Sequence, residues 1–262
     1  MSGERAGKRD PLHDRQLLLL GAKRNAVLEL WELQRYGADS YDDEDHVSIY
    51  GMRPAEWYAK GLRLLGRTAV ECTRDALGDA IGKDIAVMAE KAPQSTGTLV
   101  IDPFAGSANT LFWILHHLPD AQGLGFELDE AVFQLTTKNL ATLALPIDIV
   151  NTDYLSGLAD AAVPTDQLLI VFIAPPWGDA LSKTAGLDLR RSTPPIMEIV
   201  DVLIHRFGRN RLLCAVQVYE TVDAHSLADL RTRFDWSALH VYDLSEPGEN
   251  HGILLGTLGW TP

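Results

Sequence analysis

Along the first third of the chain, apolar residues recur three and four positions apart. Leu17, Leu20, Val27, Leu28, Leu30 and Trp31 follow this spacing from Arg15 onward and predict a first helix. From Pro54, the sets Trp57, Leu62, Leu65, Val70 and Leu77, Ile81, Ile85, Met88 predict two more, punctuated near Gly66 and Gly78. After the breaker-rich segment 92–97 the pattern changes, and short apolar runs alternate with helical spacing, the grammar of an α/β sheet. Strands are predicted over 99–101, 123–127, 147–150, 168–173 and 211–219, with helices over 110–117, 130–143, 195–207 and 226–234. The run 168–173 has no polar residue, so it reads as a central strand covered on both faces. Two closing strands, 239–244 and 252–260, flank the turn-rich segment 246–250 and predict an antiparallel hairpin. The expected organisation is a helical N-terminal extension or lid over 1–96 and an α/β domain over 97–262.

Composition narrows the function classes. With 46% hydrophobic and 23% charged residues the chain has enough apolar surface for a core, which excludes global disorder and fibrous repeats. The net charge of −13 opposes binding to a polyanion unless basic residues cluster locally. The two cysteines, Cys72 and Cys214, have no metal-ligand spacing around them, so neither a disulfide framework nor a metal site is expected. No apolar run approaches the roughly 20 residues of a membrane helix, and no signal-peptide core is evident; a cytoplasmic protein is expected. The acidic run 41–46 reads as a solvated loop, with a lid edge or a cation site as its functional alternative.

The chemistry concentrates where the strands end. Strand 99–101 runs into Asp102-Pro-Phe-Ala-Gly-Ser-Ala-Asn-Thr110, a turn of small residues leading to a helix, which in a parallel sheet borders the ligand crevice. Neither G-x-G-x-x-G nor a Walker pattern is present, and a carboxylate at the strand end repels phosphate. Asp102 suits a cofactor bearing a cation there, and S-adenosylmethionine carries an ammonium and a sulfonium. Glu127 lies 25 residues on, one strand–helix–strand later, where a carboxylate accepts both ribose hydroxyls. Asp153, after the third strand, is placed to accept from an adenine amino group, whereas Asp129 reads as a helix cap.

After the central strand comes Ala174-Pro-Pro-Trp-Gly-Asp179. Pro175 and Pro176 lack N–H donors and stop the strand, leaving the carbonyls of Ala174 and Pro175 without ladder partners. Those oxygens are suited to accept from a substrate N–H while the Trp177 ring stacks on a planar substrate. His116 and His117 read as packing residues, and His251 reaches the site only if the hairpin folds back.

Taken together, these motifs resemble the class I S-adenosylmethionine-dependent methyltransferases over residues 97 to 260, and are most similar to the trimethylguanosine synthase-like group, which methylates guanine N2 of an RNA cap. The resemblance implies a Rossmann-like α/β fold with a seven-stranded mixed sheet of order 3-2-1-4-5-7-6, the last strand antiparallel. It implies cofactor binding by Asp102, Pro103, Phe104, Ala105, Gly106, Asn109, Thr110, Glu127, Leu128, Asp153, Tyr154 and Ala174, with Pro175, Pro176 and Trp177 facing the substrate. Ala174 departs from the Ser of the group's Ser-Pro-Pro-Trp-Gly motif, and Asp179 stands where those enzymes have glycine. Asp179 is thus either a substitute proton acceptor, a selector for a cationic substrate or a helix cap. The expected function is methyl transfer to nitrogen of a planar heteroaromatic small molecule. The alternatives are an RNA guanine-N2 methyltransferase using cations such as Arg190, Arg191, Arg206, Arg209, Arg211, Arg231 and Arg233, or a catalytically silent binding subunit.

Overall fold

A computed structural model of the chain describes residues 13–182, 184–245 and 249–262. The strands, in chain order, are β1 (Thr98–Asp102), β2 (Gln122–Glu127), β3 (Ile147–Asn151), β4 (Leu168–Ile173), β5 (Leu181–Ser182), β6 (Gly186–Leu187), β7 (Arg211–Tyr219), β8 (Trp236–Val241) and β9 (His251–Leu258). Seven of them form one sheet of order β3-β2-β1-β4-β7-β9-β8, while β5 and β6 pair separately as a short hairpin. That hairpin is absent from the sequence reading; with it set aside, the main sheet runs 3-2-1-4-5-7-6. β9 is antiparallel to both of its neighbours, and the pairs among β3, β2, β1, β4 and β7 are parallel. All six residues of β4 are buried, because β1 and β7 pair along its two edges and helices cover its two faces.

Alternation along the strands feeds two hydrophobic layers. Val100, Ile170, Phe172, Leu213 and Leu255 point to the face that also buries Trp57, Ile81 and Ile85 of the helical third. Ile101, Val171, Ile173, Cys214 and Leu254 point to the other, against Ile199, Val200 and Leu203. The N-terminal segment therefore shares its core with the sheet.

Its helices are α1 (Arg15–Leu19), α2 (Leu30–Tyr41), α3 (Pro54–Ala59), α4 (Gly66–Glu71) and α5 (Asp75–Ala89). The single first helix expected from Arg15 is thus two, parted at Gly21, and Val27 between them bridges to Leu65. Gly66 opens α4 instead of separating helices, and α5 runs straight through Gly78 and Gly82. The reason is packing: a Cβ at Gly78 would lie 2.6 Å from the Trp113 ring, and one at Gly82 2.6 Å from the Trp113 carbonyl. Helical glycine costs about 1 kcal/mol against alanine, which this close approach of helices offsets. In the acidic loop, Tyr41 stacks on His46 with ring centroids 3.5 Å apart.

The remaining helices are α6 (Asn109–His117), α7 (Glu130–Thr142), α8 (Tyr154–Asp160), α9 (Ile196–Phe207) and α10 (Ala224–Arg231). Helix α8 lacks a strong apolar period and was not anticipated; its start is set by the Asp153 cap. β8 begins three residues earlier than expected because Trp236 pairs with Thr257. Of the turn 246–250, residues 246–248 lie outside the described residues. No helix among the described residues is long and apolar enough to cross a membrane.

Candidate active site

The turn after β1 is stapled to its neighbour strand by local hydrogen bonds. Asp102 is 2% exposed and accepts from Phe104 N–H at 3.0 Å. Burial pushes its carboxyl up to about 7, and the Glu127 charge adds to the shift against the Phe104 bond. Gly106 (φ +50°) and Ala108 (φ +57°) take left-handed conformations that swing the chain from strand into α6. This aims Gly106 N–H at Glu127 Oε2, 3.0 Å away, while Asp129 N–H donates to Oε1 at 2.7 Å. Ala105 N–H donates to the Phe126 carbonyl and Thr136 Oγ1 to the Gly106 carbonyl. Glu127 is held above the usual carboxylate range, first by burial and against these two N–H bonds.

Other expected residues line this end unevenly. Phe104 packs on Tyr154 with ring centroids 5.5 Å apart, and Leu128 is 74% exposed beside them in sequence to Glu127. Asp129 caps α7 through the N–H groups of Ala131 and Val132 and pairs with Arg67 of α4 at 2.5 Å. Asp153 caps α8, accepting from Ser156 N–H at 3.0 Å and Ser156 Oγ at 2.6 Å; these bonds hold its carboxyl below the usual range. Pro103 and Ala105 are buried beneath the turn.

Asn109 and Thr110, at the start of α6, are both buried. Asn109 is 1% exposed, and its side chain is spent on the helical third: Oδ1 accepts from Tyr50 N–H at 2.7 Å, and Nδ2 donates to the Thr73 carbonyl at 2.7 Å and to Asp75 Oδ1 at 3.0 Å. Trp113 Nε1 donates to the same Asp75 oxygen at 2.7 Å, and Tyr50 OH donates to the Ser107 carbonyl. The Asn109 side chain therefore clamps the N-terminal segment onto the turn. Trp57 is a core residue whose Nε1 donates to the Val47 carbonyl, and Tyr58 lies under the Arg63 guanidinium.

At the end of β4, strand pairing stops at Ile173 and Val216. Ala174 and Trp177 are half-buried, Pro175 is buried, and Pro176 and Asp179 are exposed, Asp179 in the short 3-10 helix Gly178–Ala180. Thr193 N–H donates to the Pro176 carbonyl at 3.3 Å, bringing the loop before α9 against the proline pair. The Trp177 ring lies 5.2 Å from that of His251, tilted 37°, with Tyr219 at 6.5 Å in an edge contact. Gln217, 7% exposed, joins His251 Nδ1 through Nε2 at 3.1 Å, and its Oε1 accepts from Thr73 Oγ1 at 3.4 Å. Burial and the nearby Arg74 push His251 down to about 4. His251 is the residue sequence reasoning set aside. Its signal is the register Tyr219↔His251, which brings the first residue of β9 to the same sheet edge as the end of β4.

No group of three or more His, Cys, Asp or Glu side chains suited to a metal ion occurs among the described residues. No protein-family model matches the sequence, and no curated protein matches it. Among solved structures, the N-terminal domain of human METTL16 aligns with a TM-score of 0.51 at 14% identity, covering 71% of this chain and 70% of that one. A second structure, the METTL16 MTase domain, gives 0.50 at 14% identity over 71% and 68%. A precorrin-6y C5,15-methyltransferase from Geobacter metallireducens gives 0.47 at 13% identity over 73% and 91%. The likeness to the METTL16 domain shows the fold: an α/β, Rossmann-like methyltransferase fold with a mixed seven-stranded sheet.

Proposed function

We propose that the chain transfers a methyl group from S-adenosylmethionine to a nitrogen of a planar, heteroaromatic small molecule. The observation that carries this reading is the pairing of two unlike ends on adjacent parallel strands. β1 ends in a buried carboxylate, and β4 ends in a proline pair and an aromatic wall. Asp102 suits a cationic ligand group: its carboxyl is raised by burial and by a second carboxylate, and among the described residues no cation offsets either. An ammonium placed there restores its ionised form.

When bound, the sulfonium supplies an electrophilic methyl; the chain's part is to bind and orient. Asp102 would hold the ammonium. Glu127, already fixed by two backbone N–H groups, has lone pairs left for ribose hydroxyls. Phe104, Leu128, Asp153 and Tyr154 are the residues that would border the base. The acceptor stacks on Trp177 and donates its N–H to the carbonyls of Ala174 and Pro175, which enriches the nitrogen lone pair and aims it at the methyl. A nitrogen that has accepted a methyl group becomes more acidic. Its proton then leaves to water, with Asp179 the carboxylate nearest in sequence.

A small acceptor is favoured over RNA by what four of the seven candidate arginines do. Arg190 pairs with Asp188 and Asp223, Arg206 donates to the carbonyls of Ala159 and Ala161, Arg211 to that of Gln94, and Arg233 pairs with Asp201. These guanidiniums are already engaged within the fold. The test is transfer of labelled methyl from S-adenosylmethionine to a panel of heteroaromatic amines, with capped and uncapped RNA alongside. Labelling of an amine and not of RNA is expected; labelling of RNA alone overturns the small-molecule reading.

A further inference from the structure

Resting on that proposed function, we infer that His251 is a specificity residue that presents a neutral Nε2–H donor beside Trp177, so the acceptor carries a hydrogen-bond acceptor, a ring nitrogen or carbonyl oxygen, on the edge of its planar system. The argument starts from Gln217. Its Oε1 lies 3.4 Å from the Thr73 hydroxyl and its Nε2 lies 3.1 Å from His251 Nδ1. An amide nitrogen only donates, so Nδ1 must accept, and a neutral imidazole whose Nδ1 accepts carries its proton on Nε2. The ring stays neutral because it is buried and faces the Arg74 cation, against which the Glu220 carboxylate pulls only weakly.

Nε2 has no hydrogen-bond partner among the described residues, whereas Nδ1 is engaged by Gln217. Asn250, the residue before His251, donates its N–H to Glu220 Oε2 and accepts from Leu244 and Ser245 N–H, which fixes the start of β9. The Tyr242 N–H takes the His251 carbonyl. The imidazole is thus immobilised at its backbone and at Nδ1, and a ring held 5.2 Å from Trp177 leaves one nitrogen for a ligand stacked there. A site that offers a fixed donor discriminates against ligands without a matching acceptor. With Nδ1 engaged and protonation suppressed, His251 selects the substrate and does not take its proton.

The test has two arms. In the first, 15N chemical shifts of His251, assigned against His251→Phe, report the tautomer of the unliganded protein. Nε2–H is expected; Nδ1–H overturns the inference whatever the cofactor proves to be. In the second, benzimidazole and indole serve as probes of one shape, of which only the first has a pyridine-type nitrogen. In the presence of S-adenosylhomocysteine, benzimidazole is expected to bind about five- to tenfold tighter than indole. His251→Phe should erase the preference while keeping a ring on Trp177, and His251→Gln, which restores an N–H donor, should recover part of it. Equal binding of the two probes, binding of neither, or a preference that survives His251→Phe overturns the inference. If S-adenosylhomocysteine itself fails to bind by calorimetry, the proposed function fails, and the 15N result still decides the tautomer.

Discussion

The ends of β1 and β4 lie side by side yet are built in opposite ways. The β1 end is assembled from near neighbours and backbone: Phe104 N–H on Asp102, Gly106 and Asp129 N–H on Glu127, and two left-handed residues in the turn. The β4 end is assembled from side chains far apart in sequence, with Trp177, Gln217 and His251 meeting only because β7 and β9 pair in one register. A backbone-built end fixes where a ligand of constant chemistry sits. A side-chain-built end lets one aromatic or polar residue change which acceptor is taken.

The largest expected effect separates the two ends. Trp177→Ala should lower turnover by more than about 100-fold while leaving S-adenosylmethionine affinity within a few-fold, because positioning and not cofactor contact is lost. Asp102→Asn should do the reverse at the other end, weakening cofactor binding by about 100-fold, as expected for loss of a buried charge partner. The reverse pattern in the two variants would collapse the division.

Asp102 also gives a pH dependence with a definite sign. Its folded carboxyl, near 7, lies above the unfolded value near 3.8, so the folded state holds its proton more tightly. Its contribution to stability is full below the unfolded value and is lost as pH rises toward 7. Thermal unfolding of the wild type should therefore fall relative to Asp102→Asn between pH 4 and about 7 and run parallel above. Affinity for a cationic ligand moves the other way and rises as the carboxylate ionises.

Smaller effects test the support. Gly82→Val would push a side chain onto the Trp113 carbonyl, part α5 from α6 and cost about 1–3 kcal/mol, measured by denaturant unfolding. Asp153→Ala removes the α8 cap and should cost about 1 kcal/mol.

How far the sequence could be read follows the same contrast. A parallel strand covered on both faces leaves an unbroken apolar run, as in β4, and β1, β2, β3 and β7 were legible within a few residues from shorter apolar stretches between helical patterns, as was the acid at the end of β1. Helix α8 was not, because a single Asp cap starts it and its apolar face is short. Gly78 looked like a break because a sequence does not show the Trp113 that lies against it. Asn109 sits in a ligand-turn motif, yet its partners Tyr50, Thr73 and Asp75 come from the helical third, whose packing no local pattern encodes. His251 needed the β7–β9 register, a tertiary fact.

The central claim is that Asp102 receives the cationic group of S-adenosylmethionine. Calorimetric titration of the wild type at pH 8 and pH 6, with Asp102→Asn beside it, tests this most directly. Micromolar binding at pH 8, about tenfold weaker at pH 6 for a carboxyl near 7, and lost in the variant is the predicted result. Binding of equal strength at both pH values and in Asp102→Asn, or no binding at all, would contradict it.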